Sequence, residues 1–98
     1  MVNLDLKLIT DFLSTQPISK AWIFGSFARG EENPQSDVDI LVTFKEQVRI
    51  GLKFVQIINS LEKLLNRPVD LVEESSLLPW IKPIVEKEKI LIYEGSER

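Results

Sequence analysis

The chain of 98 residues contains neither cysteine nor histidine. Without cysteine it forms no disulfide and offers no thiolate nucleophile, an absence that fits a cytoplasmic protein. Without histidine it cannot build a Ser-His-Asp or Cys-His catalytic centre, or a zinc site that uses imidazole ligands. Any acid–base chemistry therefore falls to Asp, Glu, Lys or Tyr side chains.

Long hydrophobic runs are also lacking. No apolar run approaches the roughly 18 residues of a membrane span, and no basic segment followed by an apolar stretch opens the chain. We therefore expect no membrane association and a cytoplasmic location. The hydrophobic fraction of 44% and the charged fraction of 28% are ordinary for a globular protein. The length allows one small core, so we expect a single domain over residues 1–98.

Clustered positive charge is missing as well. The 12 Lys and Arg residues are outnumbered by 15 Asp and Glu residues, and the basic residues are scattered along the chain. Since binding to a nucleic-acid backbone depends on clustered Lys and Arg, we expect no direct nucleic-acid binding. Near the C-terminus, lysines alternate with Glu86 and Glu88, a pattern typical of a solvated face.

Apolar periodicity and turn residues predict three helices and four strands in the order α-β-β-α-β-α-β. The predicted elements are a helix near 6–13, strands at 21–24 and 37–44, a helix over 52–65, a strand at 69–72, a helix within 77–85 and an edge strand at 90–93. The clearest helical stripe comprises Leu52, Val55, Ile58, Leu61 and Leu65. The fold class is therefore α/β (α+β), a small mixed β-sheet flanked by helices.

Two carboxylates, Asp37 and Asp39, are spaced i and i+2 in the second predicted strand. Such side chains share one face of a strand, with Cα atoms ~6.5–7 Å apart. They can therefore converge on one divalent cation, or on two cations that share a carboxylate. Magnesium is typically held by one or two protein carboxylates plus phosphate and water. The alternative interpretation is a strand whose outer face is simply polar and solvated.

Gly25 and Ser26 follow the first predicted strand. Glycine lets the backbone approach a phosphate closely, the first turn of a helix offers free N–H groups, and Ser26 adds a hydroxyl. The alternative is an ordinary turn in which the serine caps a helix. Arg29, one helical turn further on, either reaches the same phosphates or forms a surface salt bridge. Combined with the two aspartates, this turn indicates chemistry on a nucleoside triphosphate.

Asp70 lies in the middle of the third predicted strand, between apolar neighbours. If this strand lies beside the strand of Asp37 and Asp39, three carboxylates gather at one place. Asp70 could then accept a proton from an attacking hydroxyl. Otherwise it is a solvated residue on an exposed sheet face. Trp80 also has two interpretations: it belongs either to the core or to a surface that contacts a partner.

Residues 25–30 and 36–42 together resemble the signature of the DNA polymerase β-like nucleotidyltransferase superfamily: Gly-Ser-x-Ala-Arg-Gly, then Ser-Asp-x-Asp-Ile-x-Val. The small size resembles the minimal nucleotidyltransferases (MNT), which are paired with HEPN proteins in prokaryotic toxin–antitoxin operons. The resemblance implies the polymerase β-like fold, with ATP and two Mg²⁺ ions bound at the Gly-Ser turn. It implies metal ligation and catalysis by Asp37, Asp39 and Asp70, and nucleotide contacts by Gly25, Ser26, Arg29 and Ser36.

The resemblance also implies a reaction and a partner. AMP would be transferred from ATP to a hydroxyl, a tyrosine of a HEPN ribonuclease toxin, so that the chain acts as an antitoxin within a hetero-oligomer. Larger relatives bind the acceptor with a second helical region, for which this chain has no room, so Trp80 and its apolar neighbours become candidate partner contacts. The alternatives are an antitoxin that neutralises its partner by complex formation alone, and a nucleotidyltransferase that acts on a small molecule.

Overall fold

A computed structural model describes residues 4–46 and 49–95. Four strands form one sheet in the order β3-β2-β1-β4. The strands are β1 (Ile18–Phe24), β2 (Val38–Phe44), β3 (Val69–Glu73) and β4 (Ile90–Glu94). The helices are α1 (Leu6–Leu13), α2 (Ser26–Arg29), α3 (Lys53–Leu65) and α4 (Lys82–Glu88), with a 3₁₀ turn at Glu74–Ser76. Within the described ranges, no helix has the length and apolarity needed to cross a membrane.

The sheet is mixed, as the sequence predicts. β1 pairs with β2 and with β4 in antiparallel fashion, whereas β2 and β3 are parallel. Parallel neighbours need a crossover connection, and α3 supplies it. In this register Asp39 lies opposite Phe24 on one side and opposite Asp70 on the other. The condition on which Asp70 would join Asp37 and Asp39, that its strand lies beside theirs, is therefore met.

The two faces of the sheet are covered differently. α1 and α3 bury Ile9, Leu13, Ile57 and Leu61 against one face. On the other face, a smaller cluster of three buried side chains forms from Trp22, Leu41 and Val85. Because successive side chains of a strand alternate between faces, Asp39 shares the face of Leu41, and Asp70 that of Val72, which packs on the smaller cluster. Both aspartates therefore lie on the α4 side of the sheet.

The predicted stripe of α3 is wrong in its first turn. Leu52 and Val55 are 82% and 52% exposed, whereas Ile57 and Leu61 are buried and Phe54 packs on the core. This segment contains two overlapping apolar stripes with helical spacing, one that includes Leu52 and Val55 and one that includes Phe54 and Ile57. Contacts with the sheet and α1 select the stripe that contains Phe54, which the local sequence does not decide.

The last helix begins later than predicted. Leu77 and Leu78 precede it in irregular backbone, and α4 starts at Lys82. Pro83 occupies the first turn, where a missing N–H costs no intrahelical hydrogen bond. The apolar pattern of the sequence continues across both the irregular segment and the helix, so it does not mark where the helix begins.

Candidate active site

The turn after β1 depends on a glycine. Gly25 has φ 73° and ψ −150°, a conformation that L-residues with a side chain rarely adopt. A Cβ atom at this position would collide with the carboxylate of Asp39, whose Cγ would lie only 3.0 Å away. Gly25 therefore lets the backbone of the turn lie directly against the carboxylate of β2.

Three predicted carboxylates meet at this end of the sheet. Asp39 is half-buried and lies opposite Asp70, and Asp37 directly precedes β2; Asp37 and Asp70 are exposed. Burial, and then the negative charges of Asp70 and Asp37, raise the pKa of Asp39 to about 6, against a smaller opposing effect of Arg29. Both neighbouring negative charges therefore oppose the ionisation of Asp39, and a bound cation would relieve that opposition.

The donor chemistry suits a hard divalent cation, although the side chains are not arranged as a closed cage. Among residues 4–46 and 49–95, no three Asp, Glu, His or Cys side chains are grouped so that they could hold a metal ion. Magnesium needs fewer protein ligands, because substrate phosphates and water complete its shell. Asp37 and Asp39 fit that requirement. Ligation of a metal ion by Asp37, Asp39 and Asp70 stays a prediction.

Ser26 opens the short helix α2 rather than capping it. The N-cap is Gly25, and no side chain caps the helix, so the interpretation of Ser26 as a capping residue is wrong. Capping side chains usually accept hydrogen bonds from the first N–H groups of a helix. Because no side chain caps α2, its first N–H groups can still donate to a ligand beside Asp39. The predicted nucleotide contacts of Gly25 and Ser26 remain compatible with this geometry.

Arg29 adopts the salt-bridge alternative. Its Nε donates to Glu31 Oε1 at 2.9 Å, and its Nη1 donates to Glu88 Oε1 at 3.1 Å. Ser36 is also engaged locally, because its hydroxyl accepts the N–H of Asn33 at 2.8 Å. The nucleotide contacts predicted for Arg29 and Ser36 therefore stay predictions; the Nη2 of Arg29 and the O–H of Ser36 donate in none of these bonds and would be the groups to make them.

Glu88 and Arg67 belong to the surroundings of the site, and sequence reasoning missed both. Glu88 Oε2 accepts the N–H of Gly25 at 2.6 Å. Arg67 donates to the carbonyl of Ser36 at 3.0 Å and lies 5.2 Å from the ring centre of Phe27. Arg67 thus ties the loop before β2 to α2. Neither residue is part of a local motif, since each reaches its partner across more than thirty residues of chain.

The solvated face predicted for the C-terminal charges is wrong for two of them. The side chains of Glu88 and Lys89 are only 16% and 14% exposed. Lys89 Nζ lies 4.3 Å from the ring centre of Trp22 and pairs with Glu74 at 3.2 Å. An alternating charge pattern does not reveal which members turn toward the sheet.

Comparison with known proteins agrees with this geometry. Residues 6–92 match the family model of a nucleotidyltransferase domain. Protein adenylyltransferase MntA of Thermococcus cleftensis is 46% identical over 70 residues, which cover 71% of this chain and 70% of that protein. A candidate protein adenylyltransferase of Methanocaldococcus jannaschii is 34% identical over 88 residues, which cover 88% of this chain and 85% of that protein.

Solved structures show the same fold. A candidate minimal nucleotidyltransferase is 31% identical with a TM-score of 0.72, covering 92% of this chain and 98% of its own. A toxin–antitoxin structure with AMP-PNP has a TM-score of 0.79 at 21% identity, covering 94% and 75%. An MNT antitoxin complex with the tri-AMPylated HEPN toxin of Shewanella oneidensis has a TM-score of 0.62 at 17% identity, covering 92% and 73%. The last two likenesses show the fold alone.

The family match extends over most of the chain, and two relatives above 30% identity each cover about 70% or more of it. The Gly-Ser turn lies against a carboxylate of β2, and a second carboxylate faces that strand from β3. The chain therefore belongs to the nucleotidyltransferase domain family, and it is an enzyme of the minimal nucleotidyltransferase type.

Proposed function

We propose that this chain transfers AMP from ATP, in the presence of Mg²⁺, to a tyrosine hydroxyl of a HEPN-type toxin and thereby acts as its antitoxin. The observation that carries the proposal is the contact between the Gly25 turn and Asp39, at the sheet end that also holds Asp70. Support comes from relatives named protein adenylyltransferases. It also comes from a similar fold in an MNT antitoxin bound to a tri-AMPylated HEPN toxin.

Electrostatics argue for a cation at this site. Asp37, Asp70 and Glu88 all act on Asp39 with the same negative sign, and a triphosphate would add further negative charge. ATP would therefore be repelled unless a cation compensated these charges. Asp37 and Asp39 would hold the magnesium, with two ions as the proposed number. When bound, the metal would neutralise developing charge on the phosphates.

The residues of the chain divide the remaining work. The turn at Gly25 and Ser26 would bind the β and γ phosphates, with the serine hydroxyl as an additional donor. Asp70, opposite Asp39 in the register, would accept the proton of the attacking tyrosine. The tyrosine oxygen would then bond to the α-phosphorus, while the bond from that phosphorus to the β-phosphate oxygen breaks and pyrophosphate leaves.

The acceptor surface is proposed to come from the partner. An apolar segment on the α4 side is exposed: Leu78 at 47%, Trp80 at 69% and Ile84 at 61%. The alternative that places Trp80 in the core is wrong. Exposed apolar patches of this kind mark protein contacts, which favours a hetero-oligomer over a small-molecule acceptor. The cytoplasmic location belongs to the same proposal.

Intact mass spectrometry of the partner tests the function. A HEPN partner is produced together with the chain, purified and weighed. The proposal predicts a mass increase of one or more AMP units with the wild-type chain, and fragmentation of the modified peptide should place them on a tyrosine. The Asp37→Asn, Asp39→Asn double variant should still bind the partner without modifying it. An unmodified partner that is nevertheless silenced by the wild type would instead show neutralisation by complex formation.

A further inference from the structure

One carboxylate, that of Glu88, connects the two ends of α2. Its Oε2 accepts the N–H of Gly25 at 2.6 Å, before the helix begins. Its two oxygens also accept from Nη1 of Arg29, the last residue of α2, at 3.1 and 3.3 Å. Glu88 itself ends α4, whose Val85 is buried against the sheet. The short α2 is thereby fastened to a helix that has its own place in the core.

These contacts are of the strong kind. Hydrogen bonds to an ionised acceptor are shorter and roughly twice as strong as neutral ones. The side chain of Glu88 is only 16% exposed, so solvent competes weakly for its oxygens. The donor at the other end is a glycine, which has more backbone freedom than any other residue. The hydrogen bond to its N–H therefore restricts the backbone of the turn at its most flexible residue.

The same contact reaches the carboxylate of β2. The Cα of Gly25 lies against the side chain of Asp39, with no room for a Cβ between them. A rotation of the Gly25 peptide would open this contact and move the N–H groups of the turn away from Asp39. Glu88 opposes that rotation through the hydrogen bond at 2.6 Å.

We propose that Glu88 is a positioning residue of the nucleotide site, which clamps the Gly25–Ser26 turn and Arg29 in the geometry that receives ATP. The inference rests on the proposed function of the turn. The competing role is that of a plug: Glu88 would occupy the N–H of Gly25, and a phosphate would have to displace Glu88 before it could bind there. The clamp is favoured because Glu88 accepts three hydrogen bonds at once, and a displaced carboxylate would remain close to Asp39 without them.

The first test reads the clamp without any reaction. In the NMR spectrum of the wild-type chain, the Gly25 amide proton should resonate far downfield and exchange slowly with solvent. Glu88→Ala should move it upfield and speed its exchange about tenfold or more, the equivalent of one charge-assisted hydrogen bond. The matched control is Glu86→Ala, because Glu86 lies on the same helix and pairs with Lys89 instead. That variant should leave the Gly25 amide unchanged.

The second test separates positioning from a merely structural role. Glu88→Ala should raise the KM for ATP about tenfold and change kcat by less than about threefold. Glu88→Gln keeps an oxygen acceptor for the Gly25 N–H, so it should recover most of the wild-type KM. Glu86→Ala should match the wild type in both constants. Direct titration with AMP-PNP and Mg²⁺ should give the same ranking of affinities.

Each other outcome overturns the inference. A lower KM and tighter AMP-PNP binding in Glu88→Ala would show a plug. An unchanged KM with fewer active molecules, not rescued by glutamine, would show a role in folding alone. If Glu88→Ala does not fold, Glu88→Gln takes its place, and an upfield-shifted Gly25 amide together with wild-type AMP-PNP affinity would count against the clamp. A wild-type chain that moves no AMP refutes the proposed function instead, and leaves the amide test standing.

Discussion

Among the single residues of the site, Asp39 is the one whose ionisation lowers the stability of the fold. Its pKa of about 6 lies above the ordinary value of ~3.9, so the folded chain binds the proton more tightly than the unfolded one between pH ~4 and ~6. Protonated Asp39 therefore contributes to the free energy of unfolding. This contribution is fully present below pH ~4 and is lost as the pH rises through ~6. The metal-free enzyme therefore gives up stability at neutral pH to keep this carboxylate charged.

We predict that Asp39→Asn is more stable than the wild type by about 1–2 kcal/mol at pH 7.5 without divalent cations, a value reduced for partial solvent screening. At pH 3.5 the difference should nearly vanish. Urea denaturation across this pH range measures it, with the exposed Asp11→Asn as control. Added Mg²⁺ should stabilise the wild type and not Asp39→Asn. A pH-independent difference would contradict the assignment of the raised pKa to Asp39.

Two glycines offer a matched pair of substitutions. Gly25 and Gly30 have nearly the same positive φ, 73° and 72°, but a Cβ at Gly30 would meet no atom within 4 Å. Gly30→Ala should cost only the conformational strain, about 1–2 kcal/mol, and preserve AMP transfer. Gly25→Ala adds the collision with Asp39, so it should lose more stability and abolish transfer. Thermal unfolding and the transfer assay together decide; equal behaviour of the two variants would contradict the close approach.

The sequence indicates the candidate residues of the site more readily than the residues that hold them in place. Gly25, Ser26, Asp37 and Asp39 are recognisable because a short motif holds them at fixed spacing. Glu88 is not, because it reaches Gly25 from 63 positions away and only the packing of α4 brings it there. A long-range contact of a single charged residue leaves no local pattern to read.

At the scale of elements, the pairing of β2 with β3 brings Asp70 opposite Asp39. Alternation and turn residues predict that the strands exist and that the sheet is mixed, but the parallel pairing of β2 with β3 is seen only in the structure. The choice between the two stripes of α3 is not local, since it depends on which side chains the sheet and α1 accept. For the same reason the start of α4 is displaced from the prediction, although the helix itself is correctly foreseen.

Lys89 is predicted to fasten the end of α4 to the sheet. Burial acts to lower its pKa, but hydrogen bonds to Glu86 and Glu74 outweigh this and raise it, so the ammonium stays charged over the ring of Trp22. Lys89→Ala should cost about 1–3 kcal/mol of unfolding free energy, from the lost cation–π contact and the unpaired Glu74. Lys87→Ala, on an exposed position of the same helix, should change it by less than ~0.5 kcal/mol. Equal losses in the two variants would contradict this role.

At the scale of the whole molecule, the apolar segment around Trp80 is exposed, and it adjoins α4, which packs on the sheet face of Asp39 through Val85. Trp80→Ala should weaken binding of a HEPN partner about tenfold or more, as buried tryptophan anchors do, with little change in the stability of the free chain. Leu6→Ala removes an apolar side chain that is 48% exposed from α1, which packs on the other face of the sheet, and this variant should bind normally. Calorimetric titration of the partner would refute the assigned surface if the two variants bound alike.

Nucleotidyl transfer to a protein leaves the α phosphate of ATP on the acceptor, so the position of a label on ATP reveals the reaction. The purified chain, a HEPN partner and Mg²⁺ are incubated with ATP labelled at either the α or the γ phosphate. We predict that the partner takes up the α label, not the γ label, and takes up neither with the Asp37→Asn, Asp39→Asn variant, although that variant still binds it. Uptake of the γ label, or undiminished uptake of the α label with the double variant, would contradict the account.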